Sequence, residues 1–239
     1  MDYDDHVRAV VRETDVLEKA FGAGPLDVPV PTCPDWVVRD LAKHVGEFTC
    51  FWTHVLCEGA GLEKTPFPDM PKEDVADWYR DLAHSLIDVL KATPPDTPIW
   101  TWVESDKHAT FAARRAAHEL AIHRLDAEMA RGAAGPIDPT LAADGIEEIF
   151  VMMTARERSG RASGQTLHLH ATDQDAEWLI TLHPDRVEVT REHAKGDLAL
   201  RGATSDLELM LYQRPTLSDV ERFGDEPVLD AWYREFTFG

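Results

Sequence analysis

The stretch RRAAHELAIHRLDAE, residues 114–128, decides how this chain is read. It forms the middle of a helical segment running from Thr110 to Ala130 and closed by Gly132. In a helix, Glu119 and His123 lie four residues apart, so both side chains leave one face at one level and reach a common ion. Two ligands alone bind an ion weakly, so a third must come from another segment. His118 adjoins Glu119 but is turned five residues away from His123, which leaves it outside this set.

The third group comes from DLAKHVGE, residues 40–47. His44 falls on the helical stripe of Leu41 and Phe48, which is expected to face the core. Two histidines and a glutamate directed inward are costly, because burying an unpaired carboxylate takes several kcal/mol. A divalent cation satisfies all three. Two imidazoles and one carboxylate suit zinc in an open catalytic site whose fourth position is free for water, thiolate or substrate. The same donors also hold Fe(II), Ni(II) or Mn(II). The competing reading is that His-Glu-x-x-x-His is far less diagnostic than His-Glu-x-x-His, and that a Glu–His pair at this spacing is often a surface contact.

Working outward, residues 4–22 place Val7, Val10, Val11, Val16, Leu17 and Ala20 at helical spacing before Gly22, Gly24 and Pro25. A connection studded with proline follows, in which Pro31 and Pro34 oppose helix until Asp35 serves as an N-cap. The second helix is then predicted from Trp36 to Cys57. A loop from Gly59 to Pro71 leads to a third helix over Glu73–Ala92, with Val75, Trp78, Leu82, Leu86 and Leu90 on one stripe. Four helices with long first and third connections predict a four-helix bundle.

From Gly135 the pattern changes, dividing the chain into domains 1–134 and 135–239. Leu141–Arg156 reads as a helix. Residues 166–172, 177–183, 186–192 and 197–202 then alternate as strands, with Asp173-Gln174-Asp175 and His183-Pro184-Asp185 as hairpin turns. Helices are expected at Ser205–Gln213 and Glu226–Phe236. This half is predicted to be a small α+β domain with an antiparallel sheet. His168 and His170 share one face of a strand and suit chelation, but no third ligand is evident for them. His54 lies on roughly the opposite side of its helix from the His44 stripe, His84 and His108 have no partner at useful spacing, and His183 and His193 fall in the sheet domain.

The chain has 239 residues and a formal charge of −20, from 24 Lys+Arg against 44 Asp+Glu. That field repels phosphate backbones and anionic lipids, which argues against nucleic-acid and membrane partners. Residues 1–6, MDYDDH, are acidic and unlike a secretory signal, and no run approaches the ~18 apolar residues that span a bilayer. A cytoplasmic monomer is expected. Cys33, Cys50 and Cys57 include no Cys-x-x-Cys pair and are expected as reduced thiols, with Cys50 and Cys57 facing the core.

PTCPDWVVRDLAKHVGE (31–47) followed by RRAAHELAIHRLDAEMARG (114–132) resembles the actinobacterial mycothiol-dependent maleylpyruvate isomerase family, and GDLALRGATSDLELMLYQRP (196–215) resembles its second domain. The resemblance implies a DinB-like metal-binding bundle followed by a sterol-carrier-like α+β domain. It implies that His44, Glu119 and His123 hold the ion, and that mycothiol is the thiol cosubstrate. It further implies thiolate addition to a cis double bond, rotation about the resulting single bond, and elimination to the trans isomer. Arg214, at the end of LYQR, matches an arginine that the family uses near its cleft and would clamp a carboxylate. With so much acidic charge, Arg114, Arg115, Arg124 and Arg214 are the candidates for a cationic pocket.

Three functions compete at this point. A metal-dependent isomerase or S-transferase acting on a small electrophile with a low-molecular-weight thiol predicts about one ion per chain and thiol-dependent turnover. A metal-dependent hydrolase using bound hydroxide predicts turnover without thiol. A non-catalytic protein that binds a small ligand predicts a closed metal shell of four protein ligands, one more than the three identified.

Overall fold

The computed structural model describes residues 1–59, 65–154 and 162–235, and the chain divides into compact units Met1–Gly135 and Pro136–Gly239. The first unit holds α1 (Tyr3–Gly22), α2 (Val38–Glu58), α3 (Val75–Ala92) and α4 (Ala109–Arg131). Helix α1 packs on α4 and α3, while α2 packs on the same two from the other side. The order around the bundle is therefore α1, α4, α2, α3, and the long connections 23–37 and 93–108 link helices on opposite corners. Such diagonal crossings require the length that these segments have.

Helix α4 is buried along most of its length. Ala112, Ala113, Ala116, Ala117, Ala121 and Ala127 let neighbouring helices approach closely, and the polar Arg115, His118, His123, Arg124 and Asp126 are buried with them. Ions this deep must be paired. Arg124 meets Glu13 of α1 at 3.0 Å and Glu128 at 2.7 Å, and so is engaged in holding α1 to α4.

Three expectations for this unit are corrected. Asp35 is not the N-cap of α2; it lies in the left-handed region (φ 68) and Val37 is the cap. The amides of Val38 and Arg39 donate instead to the carbonyls of Val28 and Leu26, so the folded-back connection satisfies the helix start and no side-chain cap is needed. On α3 the core positions are Val75, Tyr79, Ala83, Leu86, Ile87 and Leu90, with Trp78 and Leu82 only half-buried. Trp78 lies across Gly46 of α2, where a Cβ would fall 2.4 Å from its ring. Finally, Cys57 is exposed and Cys50 half-buried, so neither belongs to the core; all three cysteines are free thiols.

The second unit contains α5 (Pro139–Thr154), β1 (Gln165–Ala171), β2 (Glu177–Leu182), β3 (Val187–Thr190), β4 (Leu198–Gly202), α6 (Thr204–Leu211), β5 (Glu221–Gly224) and α7 (Pro227–Glu235). The expected helix ends at Ala155–Arg156 and Phe236, and part of the 59–71 loop, lie outside the described residues. Strand order is β3-β2-β1-β4-β5. The β1–β2, β2–β3 and β4–β5 pairings are antiparallel as expected, while β1–β4 is parallel, so the sheet is mixed. The departure arises because residues 191–197 do not form a hairpin: they cross β2 and β1 to enter β4 on the far side. β5 went unforeseen because its four residues are all exposed and show no alternation.

Leu167, Leu169, Trp178 and Ile180 form the buried face of the sheet, and the Trp178 indole donates to Glu147 of α5 at 2.8 Å. Among the described residues, no helix is long and apolar enough to cross a membrane.

Candidate metal centre

The bundle brings the three sequence-derived ligands together. His44 Nε2 on α2 lies 3.0 Å from Glu119 Oε1 on α4, and His123 Nε2, one turn further along α4, lies 3.3 Å from that same oxygen. The ligand atoms of His44, Glu119 and His123 are all within 4.8 Å of one another, and the two imidazole rings are 4.8 Å apart in an edge-on arrangement. Glu119 and His123 converge because of their four-residue spacing, and His44 meets them because α2 and α4 pack side by side.

His44 differs from its expected burial. Its side chain is 38% exposed, whereas that of His123 is 10% exposed, so the cluster has a dry side formed by α4 and a wet side formed by His44. The α2 stripe was expected to point wholly inward, but His44 stands at its rim, where the Trp36 ring lies 5.1 Å away. An open side gives a ligand access to this cluster.

Two supporting groups went unrecognised in the sequence. Asp126, fully buried, accepts a hydrogen bond from His123 Nδ1 at 2.9 Å. It lies three residues after His123 on the same helix face, a spacing that could have exposed it. Arg115, one turn before Glu119, donates to Glu119 Oε2 at 2.9 Å and leaves Oε1 to the histidines. Cys33 Sγ approaches Asp126 Oδ2 at 3.5 Å from the folded-back connection; no local pattern announces this contact, because the two residues are far apart in sequence.

The electrostatics follow from this packing. Burial pushes the Glu119 carboxyl up, but contacts with His123 and His44 and the charges of His123 and Arg115 outweigh it and hold the group well below the usual carboxylate range. Burial lowers the His123 pKa, yet Asp126 and Glu119 prevail and raise it to about 9. Both ring nitrogens face a carboxylate, so the metal-free ring retains two protons. A metal would replace the one on Nε2, leaving Asp126 to hold the Nδ1 proton and orient the ring, an arrangement common behind metal-bound histidines. The donors present thus fit a divalent cation of the zinc type: two nitrogens and one oxygen, each restrained by packing or a hydrogen bond.

Of the other sequence candidates, His118 is fully buried beside His6, away from this set, with ring centroids 6.0 Å apart. Arg114 is half-buried on α4. Arg214 lies in the second unit just after α6, where its amide donates to the Leu209 carbonyl and its guanidinium to that of Tyr212. His168 and His170, left without a third ligand in the sequence, both reach Glu177 at 2.9 Å.

A family profile described as the mycothiol maleylpyruvate isomerase N-terminal domain matches residues 7–128, and one described as the MDMPI C-terminal domain matches residues 140–231. Among solved structures, one of a mycothiol-dependent maleylpyruvate isomerase aligns at 16% identity over 95% of both chains, with a TM-score of 0.62. A mutant form of a mycothiol-dependent maleylpyruvate isomerase aligns at 14% identity over 88% of both chains, with a TM-score of 0.59. At such identities the likeness is one of fold. No curated protein matches the chain.

Proposed function

The chain belongs to the mycothiol-dependent maleylpyruvate isomerase family, and from that premise we propose that it is a metal-dependent enzyme that uses mycothiol to isomerise or S-conjugate a small electrophile. The ion, zinc by the chemistry of its donors, is held by His44, Glu119 and His123 in residues 1–134. The observation that carries this reading is the convergence of two imidazole Nε2 atoms on one oxygen of Glu119, with Asp126 and Arg115 behind them.

A divalent ion bound there supplies a Lewis acid that keeps a thiol ionised near neutral pH. The chain's own residues do the rest. Asp126 holds the Nδ1 proton of His123, so Nε2 is the nitrogen that would be given up to a metal. Arg115 holds the second oxygen of Glu119 and prevents that carboxylate from rotating. The half-exposed His44 leaves the thiol and the electrophile a way in from solvent, beside Trp36. An ion held by these three donors would have room for an exogenous thiol, and the backing of His123 by Asp126 and of Glu119 by Arg115 favours repeated chemistry there. By the family resemblance alone, Arg214 is proposed to bind a carboxylate.

The test is to measure bound metal and mycothiol-dependent turnover, with maleylpyruvate among a panel of electrophiles, in the wild type and His123→Ala. One equivalent of metal and the thiol-dependent rate should be lost together. Turnover that persists without thiol would identify a hydrolase instead, and thiol-dependent turnover unchanged in His123→Ala would refute the assignment.

A further inference from the structure

The sheet unit carries a second convergence of metal-binding side chains, separate in sequence and support from the bundle cluster. His168 and His170 alternate with the buried Leu167 and Leu169 on β1, so both point to the sheet face opposite the one that packs on Trp178 and Ile180. On β2, Glu177 is the register partner of His170 and presents its carboxylate on that same face. The crossover 191–197 then passes over β1 and delivers His193 from above.

Gly196 allows this close passage. A Cβ there would fall 3.0 Å from the His168 amide nitrogen, 3.2 Å from the His168 Cβ and 2.8 Å from the Leu198 carbonyl oxygen. The crossover thus buries His168 to 4% exposure, while His193 stays at the solvent edge with an 80% exposed side chain. His168 Nε2 and His193 Nδ1 stand 2.9 and 2.8 Å from the same oxygen, Glu177 Oε2. His170 Nδ1 is 2.9 Å from the other oxygen, Oε1.

We propose that His168, Glu177 and His193 form a second divalent-cation site of the zinc class, with His170 orienting the carboxylate, and that the ion pins the crossover to β1 and β2. The three ligand atoms lie within 4.8 Å of one another, a separation that closes onto an ion at about 2.0–2.2 Å from each with small side-chain movements. Two imidazoles and a carboxylate are the same donor set as in the bundle, and favour zinc-class ions over calcium or magnesium. Simple ion pairing is a weak rationale for the cluster, since the His193 contact is exposed and one carboxylate needs only one cation. Burial pushes the Glu177 carboxyl up, but hydrogen bonds from His193 and His168 and the nearby charges of His170 and His193 hold it below its ordinary value, keeping it an anionic ligand. The mixed topology is what assembles this site, because only a connection between parallel strands is carried across the sheet face.

The test is a Zn(II) titration of the full, metal-stripped chain against a chromophoric chelator, which isolates tight sites from loose surface binding. The wild type should take two equivalents and His123→Ala one. Glu177→Gln, which preserves volume, and His193→Ala, which removes only an exposed ring, should each take one and retain the equivalent that His123→Ala loses. Zn(II) should also raise the melting temperature of His123→Ala but leave that of His123→Ala combined with His193→Ala unchanged. A single wild-type equivalent that His123→Ala loses and Glu177→Gln and His193→Ala keep, or two equivalents retained in both Glu177→Gln and His193→Ala, would overturn the proposal and leave the bundle site unaffected.

Discussion

Glu119 in the bundle and Glu177 on the sheet each gather two imidazole nitrogens onto one carboxylate oxygen, but the supports behind them differ. Glu119 and His123 share a helix buried on most sides; Asp126, fully buried, holds His123 from behind and Arg115 holds Glu119. Glu177 and His168 sit on adjacent strands, and the third group, His193, arrives on an exposed connection with no comparable support. The first cluster is rigid by construction and open at one edge. The second depends on the crossover staying in place. Rigid, backed donors suit a site where chemistry must be repeated with the same geometry, whereas donors from three segments suit an ion that holds segments together.

The comparison breaks most visibly at the ligands. Glu119→Gln should lose the bundle ion and reduce thiol-dependent turnover to background, while Glu177→Gln should leave turnover intact; assays of both variants side by side decide it. A smaller but still large effect is expected from Asp126→Asn, which keeps the shape of the side chain but removes the charge behind His123. Metal affinity at the bundle should fall by about 10–100-fold, the usual consequence of losing such a partner, with helical circular dichroism unchanged. Competition against a chelator measures it. Gly196→Ala forces the crossover away from β1 and should cost about 1–3 kcal/mol, the range for overpacking, in denaturant unfolding of the second unit. It should weaken zinc binding there and leave the bundle site alone.

The last effect is a graded one, on pH dependence. Because the metal-free His123 titrates at about 9, above its unfolded value of 6.5, its interactions stabilise the metal-free fold fully below pH 6.5 and lose that effect as pH rises through 9. Zinc must displace one of its protons, so affinity at the bundle should increase by about tenfold per pH unit from neutrality and level off near 9. Calorimetry in buffers of different ionisation enthalpy counts the released proton. A pH-independent affinity across that window would mean that the ion does not bind through His123.

The helical half and its ligands were legible because a helix is local: Glu119 and His123 are juxtaposed by a four-residue step, and His44 only had to lie on a facing stripe. Where the reading erred, longer-range contacts had intervened. Asp35 lost its capping role to carbonyls supplied by the returning connection, and Trp78 was lifted out of the core because Gly46 offered it a seat. The sheet site was illegible for the same reason. His168 and His170 were visible as a pair on one strand, but Glu177 joins them through register and His193 through a crossover that the alternation of short strands does not reveal. The parallel β1–β4 pairing, the single departure from an antiparallel sheet, is the topological fact on which that site depends.

The most direct measurement is an anomalous difference map at the zinc edge from crystals of the zinc-loaded full chain. A peak bounded by the Nε2 atoms of His44 and His123 and by Glu119, with Asp126 still on His123 Nδ1, is the predicted result. No peak there, or a peak seated instead among Cys33, His123 and Asp126, would contradict it.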